Sequence, residues 1–167
     1  GTIKRFMEHM NPRGAHVVSA GEDAESLLIL LTGRAKVTNF DEEGREIILA
    51  WLGPGEFFGE MGLVDGSPRS ASVVAVEPCE LLTIGKIEFQ RCMQENFQVA
   101  QKLMQILVRR LRAADRNIES LALLDVYGRV ARLLLDMSEE ENGKRLVRKK
   151  ISKQDMARMI GASREMV

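Results

Sequence analysis

The chain has 167 residues, long enough for one domain and a smaller second one. Its 24 basic and 24 acidic side chains cancel, and with 45% hydrophobic and 29% charged residues it is not disordered over most of its length. Neutrality hides an asymmetry, because residues 1–96 carry a net charge of −6 and residues 97–167 a net charge of +6. An acidic domain followed by a basic segment suggests two functions, the second able to meet nucleic acid. No apolar run approaches the roughly 20 residues that span a bilayer, so an integral membrane protein is not expected. No secretory signal stands at the start, which opens Gly1-Thr2 without a Met and is expected to belong to a fragment. Cys79 and Cys92 lie in separate segments, which fits a reducing cytoplasm and gives no zinc or iron–sulfur framework. Both are expected to act as small buried or half-buried hydrophobes.

From Ala15 to Gly85 short apolar runs alternate with glycine-containing turns. Strands are predicted at 16–18, 26–31, 35–38, 46–52, 71–76 and 80–84, a spacing that indicates an all-β barrel or double-sheet roll. Asp41-Glu42-Glu43-Gly44 reads as the hairpin turn joining residues 35–40 to 45–52. From Lys86 onward there is no proline and helix formers dominate. Phe97, Met104, Leu111 and Ile118 stand seven apart, and Ala100, Leu107, Ala114 and Leu121 each follow three later. This a/d seam predicts a long helix that pairs with a copy of itself in parallel, with Arg110 at g and Asp115 at the following e. A lone amphipathic helix lying on the β domain is the alternative, although a 3.6-residue period drifts off a strict seven-residue repeat.

Residues 125–137 predict a second amphipathic helix, Ser138 to Gly143 a charged connector, and Lys144 to Ile151 a basic strand or turn. Ser152 with Asp155 three later is a capping-box variant that opens a helix closed by Gly161. Ser163 can cap a second helix, so the segment reads as a helix-turn-helix whose second helix is five residues long where the sequence ends.

The chemistry concentrates in Gly55-Glu56-Phe57-Phe58-Gly59-Glu60-Met61-Gly62-Leu63 and Pro68-Arg69-Ser70-Ala71. Glycines let backbone N–H groups approach a ligand, Glu60 accepts from hydroxyls, and Arg69 offers forked donors for a phosphate with the Ser70 hydroxyl beside it. Together they describe a pocket for a phosphorylated nucleoside. The plainer alternative is a Glu60–Arg69 ion pair across two strands. Other chemistries fail: His9 and His16 are the only histidines and are expected at the surface or half-buried. No nucleophile–base set, HExxH motif or paired catalytic carboxylates can be assembled, so an enzyme is not expected and neither is a metal. The nine methionines read as core packing.

Gly59-Glu60 with Pro68-Arg69-Ser70-Ala71 resembles the phosphate-binding cassette of cyclic-nucleotide-binding domains. With the long helix, Leu121-Ala122-Leu123-Leu124-Asp125-Val126-Tyr127-Gly128-Arg129 and Gly161-Ala162-Ser163-Arg164-Glu165, the chain resembles the CRP/FNR family of bacterial transcription regulators from end to end. The resemblance implies an α+β fold. Residues 1–96 would form a double-stranded β-helix (jelly-roll) binding a cyclic nucleotide, residues 97–124 a dimerisation coiled-coil helix, and residues 125–167 an incomplete winged helix-turn-helix for DNA. Gly59 and Glu60 would bind the ribose 2′-hydroxyl and pocket backbone, Arg69 and Ser70 the cyclic phosphate, and Ala71 would shape the cassette.

Cyclic AMP is the expected allosteric ligand. The family's cyclic AMP receptors carry a Thr-Ser pair on the long helix against the adenine, whereas this chain reads Ala114-Asp115. The Asp115 carboxylate is acceptor-only, so it can take the adenine amino group or the N–H pair of a guanine edge, or pair instead with Arg110 across the dimer. Base preference is therefore open among cyclic AMP, cyclic GMP and cyclic di-GMP. In the reading helix Ser163 and Arg164 precede Glu165. Arg forks onto O6/N7 of guanine and a carboxylate accepts from N4 of cytosine. Lys153, with Lys149 and Lys150, either contacts phosphate or forms a solvated face. The implied partners are a second copy of the chain, double-stranded DNA with half-sites resembling TGTGA, and RNA polymerase, in the cytoplasm and away from membranes. A cyclic-nucleotide module that controls another enzyme, and a constitutive regulator with a vestigial pocket, are the competing readings.

Overall fold

The apolar stretches between the glycine turns pair into two four-stranded antiparallel sheets, in a computed structural model that describes residues 6–141 and 143–167. Residues 1–5 of the expected first domain, and Asn142 of the expected connector, lie outside the described residues. In chain order the strands are β1 (Phe6–Asn11), β2 (His16–Val18), β3 (Ser26–Thr32), β4 (Ala35–Phe40), β5 (Glu46–Leu52) and β6 (Phe57–Phe58). A short helix α1 (Glu60–Asp65) precedes β7 (Ser72–Ala75) and β8 (Cys79–Gly85). One sheet runs β1-β8-β3-β6 and the other β2-β7-β4-β5. Apart from the β4–β5 hairpin, successive strands cross between the sheets in the order of a jelly roll, the architecture expected from the resemblance. Leu28 and Leu30 of β3, Ala35 of β4, Leu52 of β5, Phe58 of β6, Val73 and Ala75 of β7 and Leu81 of β8 meet in one buried cluster.

Helix α2 (Lys86–Glu95) follows, then α3 (Phe97–Leu123), α4 (Val126–Asp136), a hairpin of β9 (Glu139–Glu141) with β10 (Lys144–Leu146), and α5 (Lys153–Ile160). The chain divides into two compact units, residues 1–102 and 103–167, with the division inside α3. Among the described residues no helix is long and apolar enough to cross a membrane, and no cluster of three or more His, Cys, Asp or Glu could hold a metal.

The hairpin turn stands where expected. Asp41 Oδ1 accepts from the backbone N–H of Glu43 (3.0 Å) and Arg45 (2.8 Å), while Oδ2 accepts from Arg45 Nε at 2.7 Å. These bonds hold the Asp41 carboxyl below its ordinary pKa.

Two expectations need correction, and two stretches carry elements that were not predicted. Residues 6–11 form a strand that pairs along its length with β8, where none was predicted. The segment 55–63 carries β6 and opens α1, where no element was predicted. Cys79 is buried as expected, its thiol pKa raised by burial, but Cys92 is exposed. Met10, Met61, Met104 and Met166 are exposed, so core packing does not account for them. His9 and His16 lie at the surface, as expected.

Candidate functional site

The cassette is assembled around Arg69. Its Nη2 donates to the Ser26 carbonyl at 3.0 Å and lies 3.5 Å from Ser26 Oγ, and its Nη1 donates to the Gly59 carbonyl at 3.4 Å. The main chain of Arg69 is gripped as well: its N–H donates to Glu22 O and its carbonyl accepts from Gly21 N, both at 2.8 Å. Ala20 N donates to Ser72 Oγ at 2.9 Å, so the turn from Ser19 to Asp23 is tied to both ends of the Arg69–Ser72 stretch. Burial lowers the Arg69 pKa, and the carboxylates of Glu22 and Glu60 oppose that shift.

Glycine is required at position 59. It sits at φ 83°, and a Cβ there would stand 2.2 Å from Arg69 Nη1 and 3.1 Å from Ser26 O. Only a residue without a side chain lets the guanidinium lie against this turn. Glu60, the next residue, is the first of α1 and only 3% exposed. The two do not sit on two strands, since Glu60 opens α1 and Arg69 precedes β7 on a loop, but the Glu60 carboxylate still acts on the Arg69 cation. Ser70 is exposed, its hydroxyl donating to Met61 Sδ at 3.7 Å, and its carbonyl accepts from Asn39 Nδ2 at 3.2 Å. Ala71 is half-buried beside it. The structure thus brings Gly59, Glu60, Arg69, Ser70 and Ala71 into one neighbourhood of the first unit. It adds Ser26, Glu22 and Asn39, which no local sequence motif marks, and Met61 from within the Gly55–Leu63 motif.

Asp115 is exposed on α3 in the second unit. The a-position residues Phe97, Met104, Leu111 and Ile118, together with Leu121 at d, are 53–73% exposed. The helix-turn-helix has its expected local chemistry. Ser152 Oγ accepts from Asp155 N at 3.0 Å and caps α5, which Gly161 ends at φ 65°. Ser163 Oγ accepts from Met166 N at 3.3 Å, and Val167 N donates to Ser163 O at 3.3 Å, so residues 163–167 make one turn. Arg164, Glu165 and Lys153 are exposed.

Arg129 of α4, the last residue of the Leu121–Arg129 motif but not among the predicted site residues, donates from Nη1 to the Ile160 carbonyl at 2.8 Å. It thereby satisfies a carbonyl at the end of α5, while its own Nε is buried without a partner. Arg129→Ala is expected to cost about 1–2 kcal/mol, the loss of a charged hydrogen bond partly offset by relief of the unpaired Nε. Faster amide hydrogen exchange in α5 checks this, and unchanged exchange would refute it.

Comparisons with known proteins agree with this layout. The model of the cyclic nucleotide-binding domain matches residues 10–96 and that of the Crp-like helix-turn-helix domain matches residues 128–167. The chain is 37% identical over 166 residues to the cAMP-activated global transcriptional regulator CRP of Haemophilus influenzae, covering 95% of this chain and 73% of that one. It is 38% identical over 177 residues to the regulator of the same name in Pasteurella multocida, covering 99% and 83%. Its fold resembles the solved structure of the c-di-GMP responsive global regulator CLP of Xanthomonas campestris, with a TM-score of 0.80, 29% identity and coverage of 97% and 83%. A cyclic-nucleotide-type β-roll with its arginine cassette, a long helix and a capped helix-turn-helix, matched along nearly the whole chain, place this protein in the CRP/FNR family of DNA-binding transcription regulators.

Proposed function

We propose that the protein is a homodimeric transcription regulator that binds cyclic AMP in its β-roll and a near-palindromic operator through its helix-turn-helix. The observation that carries the nucleotide assignment is Arg69. It is a partly buried cation whose pKa burial lowers, with hydrogen bonds to the neutral carbonyls of Ser26 and Gly59. An arriving cyclic phosphate supplies the negative charge that burial makes most valuable, and the Arg69 fork and the Ser70 hydroxyl are its donors. Glu60 accepts from the ribose 2′-hydroxyl, Gly59 and Ala71 give the cassette its shape, and Asp115 is the candidate base-reading residue. Residues 1–96, 97–124 and 125–167 serve as ligand domain, dimer helix and DNA domain.

Binding changes DNA affinity only if the DNA-competent arrangement holds the nucleotide more tightly than the idle one. A coupling of about 1–3 kcal/mol raises operator affinity about 5–150-fold. Arg164 reads guanine and Glu165 cytosine, Ser163 starts the reading turn, and Lys153 contacts phosphate. Two such units on a two-fold axis address half-sites about 34 Å apart. Relatives carrying the name of a global transcriptional regulator support a non-enzymatic role, and a cytoplasmic location with RNA polymerase as partner belongs to the same reading. A second reading, cyclic di-GMP as the ligand, is favoured by the Ala114-Asp115 pair and by the likeness to the Xanthomonas regulator.

Calorimetric titration with cyclic AMP, cyclic GMP and cyclic di-GMP tests the assignment. Micromolar binding of cyclic AMP is expected, and tighter cyclic di-GMP binding would move the protein to the second reading. Failure of all three would leave a regulator with a vestigial pocket.

A further inference from the structure

The β4–β7 ladder runs Ala35↔Ala75, Lys36↔Val74, Val37↔Val73 and Thr38↔Ser72, and stops there. The next residue of β4 is Asn39, and the chain preceding Ser72 is the cassette, Arg69-Ser70-Ala71. At the point where main-chain pairing ends, the Asn39 side chain takes over, with Nδ2 donating to the Ser70 carbonyl at 3.2 Å. The other end of the amide is fixed too, since Oδ1 accepts from Phe40 N at 3.2 Å. Strand alternation is broken just before this point by a register shift between Val37 and Thr38, after which Thr38 is fully buried and Asn39 half-buried. The amide therefore sits where the ladder ends, beside Ser70, whose hydroxyl is the proposed phosphate donor.

The two cassette residues are held by different means. Arg69 is gripped by main-chain bonds from Gly21 and to Glu22. Ser70, one position on, accepts the bond of a side chain that stands 31 residues away in sequence. Its hydroxyl meanwhile rests on Met61 Sδ at 3.7 Å, a weak acceptor that releases a proton donor cheaply to a phosphate oxygen. A backbone carbonyl held by an amide, rather than by a sheet partner, leaves the Ser70–Ala71 main chain free of the ladder and open toward the ligand.

We propose that Asn39 is a positioning residue of the phosphate cassette, fixing the Ser70 peptide so that the Ser70 hydroxyl is preset for a cyclic phosphate. This rests on the nucleotide reading above. Loss of one neutral hydrogen bond that orients a ligand contact corresponds to cyclic AMP binding about 3–10-fold more weakly. Calorimetry on the full chain with Asn39→Ala, Ser70→Ala and the double variant tests it, with thermal melts run in parallel.

The expected result for Asn39→Ala is a 3–10-fold rise in Kd with a thermal midpoint within about 2 °C of wild type. The factor should be the same for cyclic AMP and cyclic GMP, which share the phosphate and differ in the base. The effect should vanish in the Ser70→Ala background, which a merely structural asparagine would not do. Unchanged affinity, or losses that multiply in the double variant, would overturn the proposal. If wild-type protein binds none of the nucleotides, the nucleotide reading fails by itself. The brace is then read by tryptic cleavage after Arg69 in ligand-free protein, which should be faster in Asn39→Ala; equal rates would overturn it.

Discussion

Replacing Arg69 by leucine is expected to weaken cyclic AMP binding about 100-fold or more. A charge-assisted hydrogen bond contributes about 1.5–3 kcal/mol, a tenfold change in Kd corresponds to about 1.4 kcal/mol, and a guanidinium fork supplies two such bonds to one phosphate. The folding cost is smaller but real, because the variant also loses the bonds to Ser26 O and Gly59 O and takes a cation away from Glu22 and the buried Glu60. Arg69→Lys separates the two effects. It keeps a charge beside those carboxylates but loses the planar fork, so binding about tenfold weaker than wild type with near-normal stability is expected. Calorimetry alongside thermal melting checks both variants. If Arg69→Leu binds cyclic AMP as the wild type does, the phosphate is not read at this cassette.

How far the site was legible beforehand depends on how local its chemistry is. Ser152 caps α5 through a bond spanning three residues, and Asp41 closes its hairpin within four, so the sequence patterns translate directly into geometry. The glycine-punctuated strands β2 to β5, β7 and β8 were readable for the same reason. Strand β1 was not: its Phe6–Asn11 sequence has no clean alternation, and its pairing with β8 is fixed by partners 68–78 residues away. Helix α1 has six residues, too few for a helical period to show, and begins at a glycine in the left-handed region. The same distance effect governs the cassette. Gly59, Glu60, Arg69 and Ser70 form a motif within twelve residues, but the groups that hold Arg69 and Ser70 come from Ser26 and Asn39, 43 and 31 residues away. Motif residues mark where a ligand is met; what positions them belongs to the tertiary fold.

Leu111→Glu is expected to convert the proposed dimer of 18.7 kDa chains to monomers and to abolish operator binding. Leu111 is 62% exposed in the single chain, and leucine and glutamate have similar helix propensities, so the substitution leaves the isolated helix and its fold nearly untouched. Phe97, Met104, Ile118 and Leu121 are exposed along the same seven-residue repeat, the pattern of a seam that meets a second helix. In a parallel pair each a position meets its own copy, so the variant sets two like charges against each other in the seam. Losing two buried leucines forfeits about 3–6 kcal/mol, and desolvating the paired carboxylates adds to that, which raises the dimer Kd by at least about 100-fold to 10,000-fold. Operator binding falls with it, because each half-site is then bound alone, without the second contact made at high effective concentration. Sedimentation equilibrium at micromolar concentration reads the mass directly. A Leu111→Glu protein that sediments like wild type would remove α3 as the dimer contact and with it the geometric basis for a two-half-site operator.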